Sequence, residues 1–174
     1  MNTDLENIYE DMLTQFPKEE LKTFEELKNL LAAPEYELHI FKPENISIGY
    51  SFWFKDEEMK FLWLDYIAIF KEFHSKGYGS VCIKDFIKQN PDMEYCFFEV
   101  EKPTNEQSVR RQKFYEKLGC KNTEIKYFFP NKYKELEMDL LYLGINTNTP
   151  PSSEYTNKAI AKVHKLLHNS EWKY

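Results

Sequence analysis

Apolar positions near the start of the chain recur every three to four residues. Leu5, Ile8, Tyr9, Met12 and Leu13 share one side of a helical wheel, which predicts an amphipathic helix. Leu21, Phe24, Leu27, Leu30 and Leu31 repeat the pattern, so a second helix is expected from Pro17 until Pro34 stops it. The pattern then tightens into dense apolar runs over 37–41, 46–54 and 60–70, read as strands. Lys42-Pro43-Glu44-Asn45 and Lys55-Asp56-Glu57-Glu58 join them at hairpin length, so these strands are expected to be antiparallel neighbours. Helical spacing returns over 77–89, with Val81, Ile83, Phe86 and Ile87, and closes at Asn90-Pro91-Asp92. The run 95–101 is the next strand. It is reached through a helix, which predicts parallel pairing with the strand before that helix. Thr104 and Gln107 predict a capping box for a helix ending near 117–119. Strands are expected over 120–129 and 137–144. A polar break at 146–153 precedes a last helix over 154–168, with Ile160, Val163, Leu166 and Leu167 on one face. The order of elements predicts a mixed α/β (α+β) domain.

Composition narrows this picture. Apolar residues make up 42% and aromatics 17% of 174 residues, enough for a folded core in one domain. The expected division is a domain over 1–145 and, over 146–174, a linker with a C-terminal helix packing on it. No apolar run is long enough to cross a bilayer, and the acidic opening MNTDLENIYEDM is unlike a signal peptide. A cytoplasmic protein with no membrane partner is expected. Cys82, Cys96 and Cys120 suggest neither a disulfide framework nor a metal site and read as core thiols. The net charge of −6 argues against nucleic acid as a partner and suits a cationic small molecule or basic peptide.

Candidate chemistry concentrates between Leu64 and Gln89. An apolar strand, a short polar loop and Gly77-Tyr78-Gly79-Ser80 opening a helix together make an anion site. The first backbone N–H groups of a helix lack intrahelical partners, and the helix dipole favours negative charge there. The turn is not a dinucleotide fingerprint, because Cys82 stands at the third glycine position, and there is no Gly-Lys-Ser/Thr phosphate loop. His74-Ser75-Lys76-Gly77-Tyr78-Gly79-Ser80 resembles instead the acyl-CoA pyrophosphate loop of the GNAT superfamily of N-acetyltransferases, usually Gln/Arg-x-x-Gly-x-Gly/Ala. Leu64-Asp65-Tyr66-Ile67-Ala68-Ile69 is similar to the strand before that loop, and Phe114-Tyr115-Glu116-Lys117-Leu118-Gly119-Cys120 to the second signature, Phe-Tyr-x-x-x-Gly-Phe. The interval between the elements fits, and their order agrees from about residue 5 to residue 144.

The resemblance implies a GNAT-like fold: a central, mostly antiparallel sheet flanked by helices, with one parallel pair, 60–70 and 95–101, splayed at its C-terminal ends. It implies acetyl-CoA as co-substrate, with no metal. The pantetheine arm would lie along Ile67, Ala68 and Ile69 as an added strand does. The amides of Ser75, Lys76, Gly77, Tyr78, Gly79 and Ser80 would cradle the pyrophosphate, with Lys76 adding charge. His74 stands where the family carries Gln or Arg, and Ser108 where many members carry Asn; Asn105 lies one turn earlier. Tyr115 matches the general acid that serves the departing thiolate. The family's usual first strand has almost no sequence before Leu5, so the sheet is expected to lack it or hold only a stub.

The base is open among three carboxylates. Asp65 shares strand parity with Ile67 and Ile69, and a carboxylate in an apolar strand needs a partner or a task. Glu99 and Glu101 share one face at the end of the other splayed strand. The acceptor is expected to be a small-molecule or peptide amine, and the donor acetyl-CoA or a longer acyl-CoA. A CoA-binding sensor or structural module without catalysis is the alternative, and a homodimer is possible in either case. His164 and His168, spaced i, i+4, have metal-ligand spacing but no third ligand and are expected at the surface. Tyr50, Phe52, Trp53, Phe54, Phe61 and Trp63 are expected mainly in the core, some lining an acceptor pocket.

Overall fold

A computed structural model describes residues 2–130 and 135–172. Helix α1, Asn2–Gln15, opens the chain, and no strand precedes it among the described residues. Helix α2, Phe24–Leu31, begins later than expected from Pro17. Its start is a capping box: the Thr23 hydroxyl accepts the Glu26 N–H, and the Glu26 carboxylate accepts the Thr23 N–H. The preceding segment is claimed by tertiary bonds. The Tyr66 hydroxyl donates to the Glu20 carbonyl at 2.7 Å and accepts the Lys22 N–H at 3.1 Å.

The sheet comprises β1 (Tyr36–Phe41), β2 (Gly49–Asp56), β3 (Phe61–Ile69), β4 (Tyr95–Glu101), β5 (Lys121–Asn122), β6 (Tyr127–Pro130) and β7 (Glu135–Gly144). Its order is β1-β2-β3-β4-β7, with β5 and β6 both paired to the far edge of β7. All pairs are antiparallel except β3–β4, as the hairpin-length joins and the helical crossover predict. The single strand expected over 120–129 is instead split. The Asn122 side-chain oxygen and the Thr123 hydroxyl accept the N–H groups of Glu124 and Ile125, and Glu124 takes φ 60. The helices α3 (Tyr78–Gln89), α4 (Glu106–Leu118) and α5 (Ser153–Leu167) complete the domain. The box capping α4 is Asn105 with Ser108, one residue beyond the expected Thr104 and Gln107.

Two apolar layers sandwich the sheet. Ile8 and Met12 of α1, Leu27 of α2, and Ala159, Ile160, Val163 and Leu167 of α5 bury one face with Phe52, Trp63 and Phe97. Ile83 and Phe86 of α3 and Tyr115 of α4 bury the other with Trp53, Leu62 and Phe98. Leu166, expected on the inner face of α5, is exposed. No helix among the described residues is long and apolar enough to cross a membrane.

The feature that shapes the site lies at the centre of the sheet. β3 and β4 pair from Phe61↔Tyr95 to Leu64↔Phe98 and then part, while β3 stays paired with β2 to Ile69 and β4 with β7 to Glu101. A β-bulge marks the parting point. Phe52 opposes Tyr66 but Trp53 opposes Leu64, so Asp65 is an extra residue. The faces exchange there: Trp63, Tyr66 and Ala68 look to the α1/α2/α5 layer, and Leu62, Leu64 and Ile67 to the α3/α4 layer. Strict alternation placed Asp65 with Ile67 and Ile69. The bulge sends it to the opposite face.

Candidate active site

Beyond Ile69 a short turn, Lys71–Phe73, leads into an exposed loop and then α3. Ser75 has φ 61, and Gly77, the N-cap of α3, has φ 80 with no side chain to satisfy the first amides. A Cβ on Gly77 would meet nothing within 4 Å, so glycine serves the left-handed backbone there and not a lack of space. The Lys76 ammonium bonds the Glu72 carbonyl at 3.2 Å and lies 5.4 Å from the centre of the Phe73 ring, which keeps its charge beside the loop. His74 Nε2 lies 2.6 Å from the Ile69 carbonyl oxygen and ties the loop to the end of β3. A Cβ on Gly79 would come within 3.4 Å of the Phe114 ring, so α4 packs directly against the start of α3. The exposed loop, its uncapped amides and the neighbouring lysine fit the diphosphate of CoA.

The parting of β3 and β4 opens a cavity of about 580 Å³ through the sheet. Leu64, Asp65, Tyr66 and Ile67 line it from β3, and Phe98, Glu99 and Glu101 from β4. From α4 come Arg111 and Tyr115, with Asn105 at its cap; the segment after α1 adds Phe16 and Glu20. The cavity therefore joins the two helical layers. Ala68 and Ile69, which do not line it, continue the free edge of β3 towards the loop; the Ala68 side chain is buried in the core.

Tyr115 stands on the α3/α4 side, 6% exposed, with its ring 5.1 Å from those of Phe98 and Phe114. Its hydroxyl has no hydrogen-bond partner among the described residues. Burial pushes its pKa up, so it remains a proton donor at neutral pH.

Glu99 approaches from the other layer, half-buried, and accepts a hydrogen bond from the Tyr127 hydroxyl. Burial raises its pKa to about 7; the Tyr127 bond opposes that rise, Asp65 adds to it, and Lys22 lowers it again. Asp65 is committed elsewhere. Lys22 Nζ lies 2.8 and 2.9 Å from its two oxygens and the Tyr36 hydroxyl donates at 2.5 Å, with the Asp65 side chain only 3% exposed. Glu101 pairs with Arg111 at 2.9 Å nearer solvent. Ser108, 1% exposed, spends its hydroxyl on the cap of α4, accepting the N–H groups of Thr104 and Asn105. Asn105 uses its side-chain oxygen on the Ser108 N–H.

Several positions do not follow from the sequence reading. Glu20 and Arg111 line the cavity, and the Glu20 pKa is raised by burial and then by Glu101. His164 was expected at the surface but is 3% exposed, and the Nε2 of His168 is enclosed as well. His164 Nε2 lies 3.1 Å from the Tyr127 hydroxyl, behind Glu99. Tyr50, Phe52, Trp53, Phe54, Phe61 and Trp63 are all buried in the core, and none lines the cavity.

Residues 4–120 match the family model of the acetyltransferase (GNAT) family. No curated protein matches the sequence. Among solved structures, one from Bacteroides thetaiotaomicron, described as an acetyltransferase of the GNAT family, superposes with a TM-score of 0.82 at 21% identity, covering 98% of this chain and 97% of that one. The ribosomal-protein-S18-alanine N-acetyltransferase of Escherichia coli gives 0.63 at 15% identity, covering 86% and 92%. The spermidine N-acetyltransferase of Vibrio cholerae, solved with CoA and spermine, gives 0.56 at 14% identity, covering 72% and 77%. Likenesses at these identities show a shared fold.

Proposed function

We propose that this chain, which belongs to the acetyltransferase (GNAT) family, moves an acetyl group from acetyl-CoA to a primary amine by direct attack. One observation carries the reading: the gap through the sheet has an unpartnered phenol, Tyr115, entering from one layer and a carboxylate, Glu99, from the other. The donor would be held on the α3/α4 side. The amides of residues 75–80 receive the diphosphate, and the free edge of β3 at Ile67, Ala68 and Ile69 receives the pantetheine arm. Bound acetyl-CoA supplies an activated acetyl thioester. Glu99 takes the proton that the amine must lose to attack.

The raised pKa of Glu99 serves that step. Moving a proton from an alkylammonium to an ordinary carboxylate is uphill by about 8 kcal/mol, and to a carboxylate near 7 by about 5 kcal/mol. As the C–N bond forms and the C–S bond breaks, Tyr115 gives its proton to the departing sulfur, and the second proton shed by the attacking nitrogen restores the phenol. Glu20, Glu101 and Glu99 around the cavity favour an acceptor that arrives as a cation. Two structural neighbours are named for acetylating a protein's alanine and spermidine, which agrees with an amine acceptor in this fold. The reading places the enzyme in the cytoplasm, supported by three buried free thiols.

The test is release of CoA thiol across a panel of small and peptide amines. Tyr115→Phe is expected to lower kcat by about tenfold or more, with CoA affinity unchanged. Full activity in the variant would remove its acid role. A CoA-induced rise in melting temperature with no turnover on any amine would favour a binding module.

A further inference from the structure

Glu99 is held from behind by groups outside the family match. Tyr127, on β6, is fully buried and its hydroxyl donates to the Glu99 carboxylate. The same oxygen meets His164 Nε2 of α5 at 3.1 Å, and His164 Nδ1 meets the Ser170 hydroxyl at 3.3 Å, at the half-buried end of the chain. The tautomer follows from proton counting. A phenol has one hydrogen, committed here to Glu99, so the His164 nitrogen facing Tyr127 must carry the next one. Nδ1 of the neutral ring is then an acceptor beside the Ser170 hydroxyl, which also lies 3.4 Å from the His164 carbonyl oxygen. The Tyr127 and His164 donors point towards Glu99. The ring stack fixes the geometry: Tyr127 packs on Trp172 at 5.6 Å, on Trp63 at 6.2 Å and edge-on to His164 at 5.6 Å.

We propose that Tyr127 and His164 are positioning residues that orient Glu99 into the cavity and hold it as a carboxylate, which makes the C-terminal helix part of the catalytic machinery. This rests on Glu99 being the base. Tyr127, His164 and Ser170 all lie beyond residue 120, where the family match ends. Burial drives Glu99 towards its neutral acid, and a bond donated to the charged form works against that. His164 stays neutral, pushed down to about 4 by burial, and acts as a hydrogen-bond donor without adding charge.

The other groups that face Glu99 set the background. From β3, Asp65 repels its charge, Tyr66 interacts with it, and the Trp63 indole N–H points at it without closing a hydrogen bond of good geometry. From the segment before α2, Lys22 attracts it. Glu20, Glu101 and Arg111 line the same cavity.

The experiment uses the full-length protein and two readouts: titration of the Glu99 carboxyl by carbon-13 NMR, and kcat/KM against pH. Tyr127→Phe is expected to move the Glu99 titration, and the acid limb of kcat/KM with it, alkaline by about one unit. That is about tenfold less kcat/KM well below the wild-type limb, with convergence at high pH. His164→Leu should move both the same way by less, and His164→Gln, which keeps an N–H donor, should stay near wild type. A Glu99 titration unmoved in Tyr127→Phe, or a kcat/KM loss equal at every pH, overturns the proposal. If no amine is acetylated by the wild-type protein, the reading of Glu99 as base falls, while the NMR titration still decides whether Tyr127 and His164 set its ionisation. Should Tyr127→Phe fail to fold, the His164→Leu and His164→Gln pair decides the question.

Discussion

Burial lifts the pKa of Glu99 from 4.5 to about 7, so between those values the folded chain holds a proton that the unfolded chain has lost. Stability must therefore fall as pH rises through that window, and level off above it. Glu99→Gln removes the ionisation and keeps an oxygen for the Tyr127 hydrogen bond. It is expected to raise the melting temperature by a few degrees near pH 8 and to leave it unchanged near pH 4, as calorimetry at the two pH values would show. The same variant should lose about a hundredfold or more in kcat/KM. Glu99 and Tyr115 were legible in the sequence, one as a carboxylate ending an apolar strand, the other inside a recognisable signature. His164 was not. Among the lysines of the last helix it reads as one more solvated side chain, and its burial becomes intelligible only with the Tyr127 hydroxyl on β6 and the Trp172 ring in place around it.

The elements follow the sequence wherever local pattern decides the outcome, and depart from it where a contact distant in the chain wins. β4 and the boundaries of α3 were predicted almost to the residue, because apolar spacing and glycine or proline punctuation agree there. The bulge in β3 was hidden, because Leu62, Trp63 and Leu64 are buried on both faces and such a run carries no alternation to betray an added residue. The late start of α2 has a similar cause. Its apolar period extends back to Leu21, but Lys22 is drawn to Asp65 and Tyr66. That pair is buried on both sides, with side chains 9% and 3% exposed. Lys22→Ala leaves the Asp65 charge without its cation and is expected to destabilise the protein by about 3–5 kcal/mol, read from the urea midpoint. Lys102→Ala, which breaks the exposed pair with Glu137, should leave that midpoint nearly unmoved.

At the scale of the whole molecule, the domain consists of two half-sheets, β1-β2-β3 and β4-β7 with its short edge strands, joined along only four residue pairs, from Phe61↔Tyr95 to Leu64↔Phe98. Everything beyond that seam relies on the helical layers to stay together. A donor arm laid along the free edge of β3 would act as mortar between the halves. Binding should then register as stiffening: amides of 65–69 and 99–101 that face the gap should exchange with deuterium more slowly when CoA is present, while those of β1 keep their rates. Equal exchange with and without CoA would place the arm elsewhere. The wedge that would admit the donor is thus also the place where the two half-sheets come apart, and a cofactor using the opening would temporarily mend it.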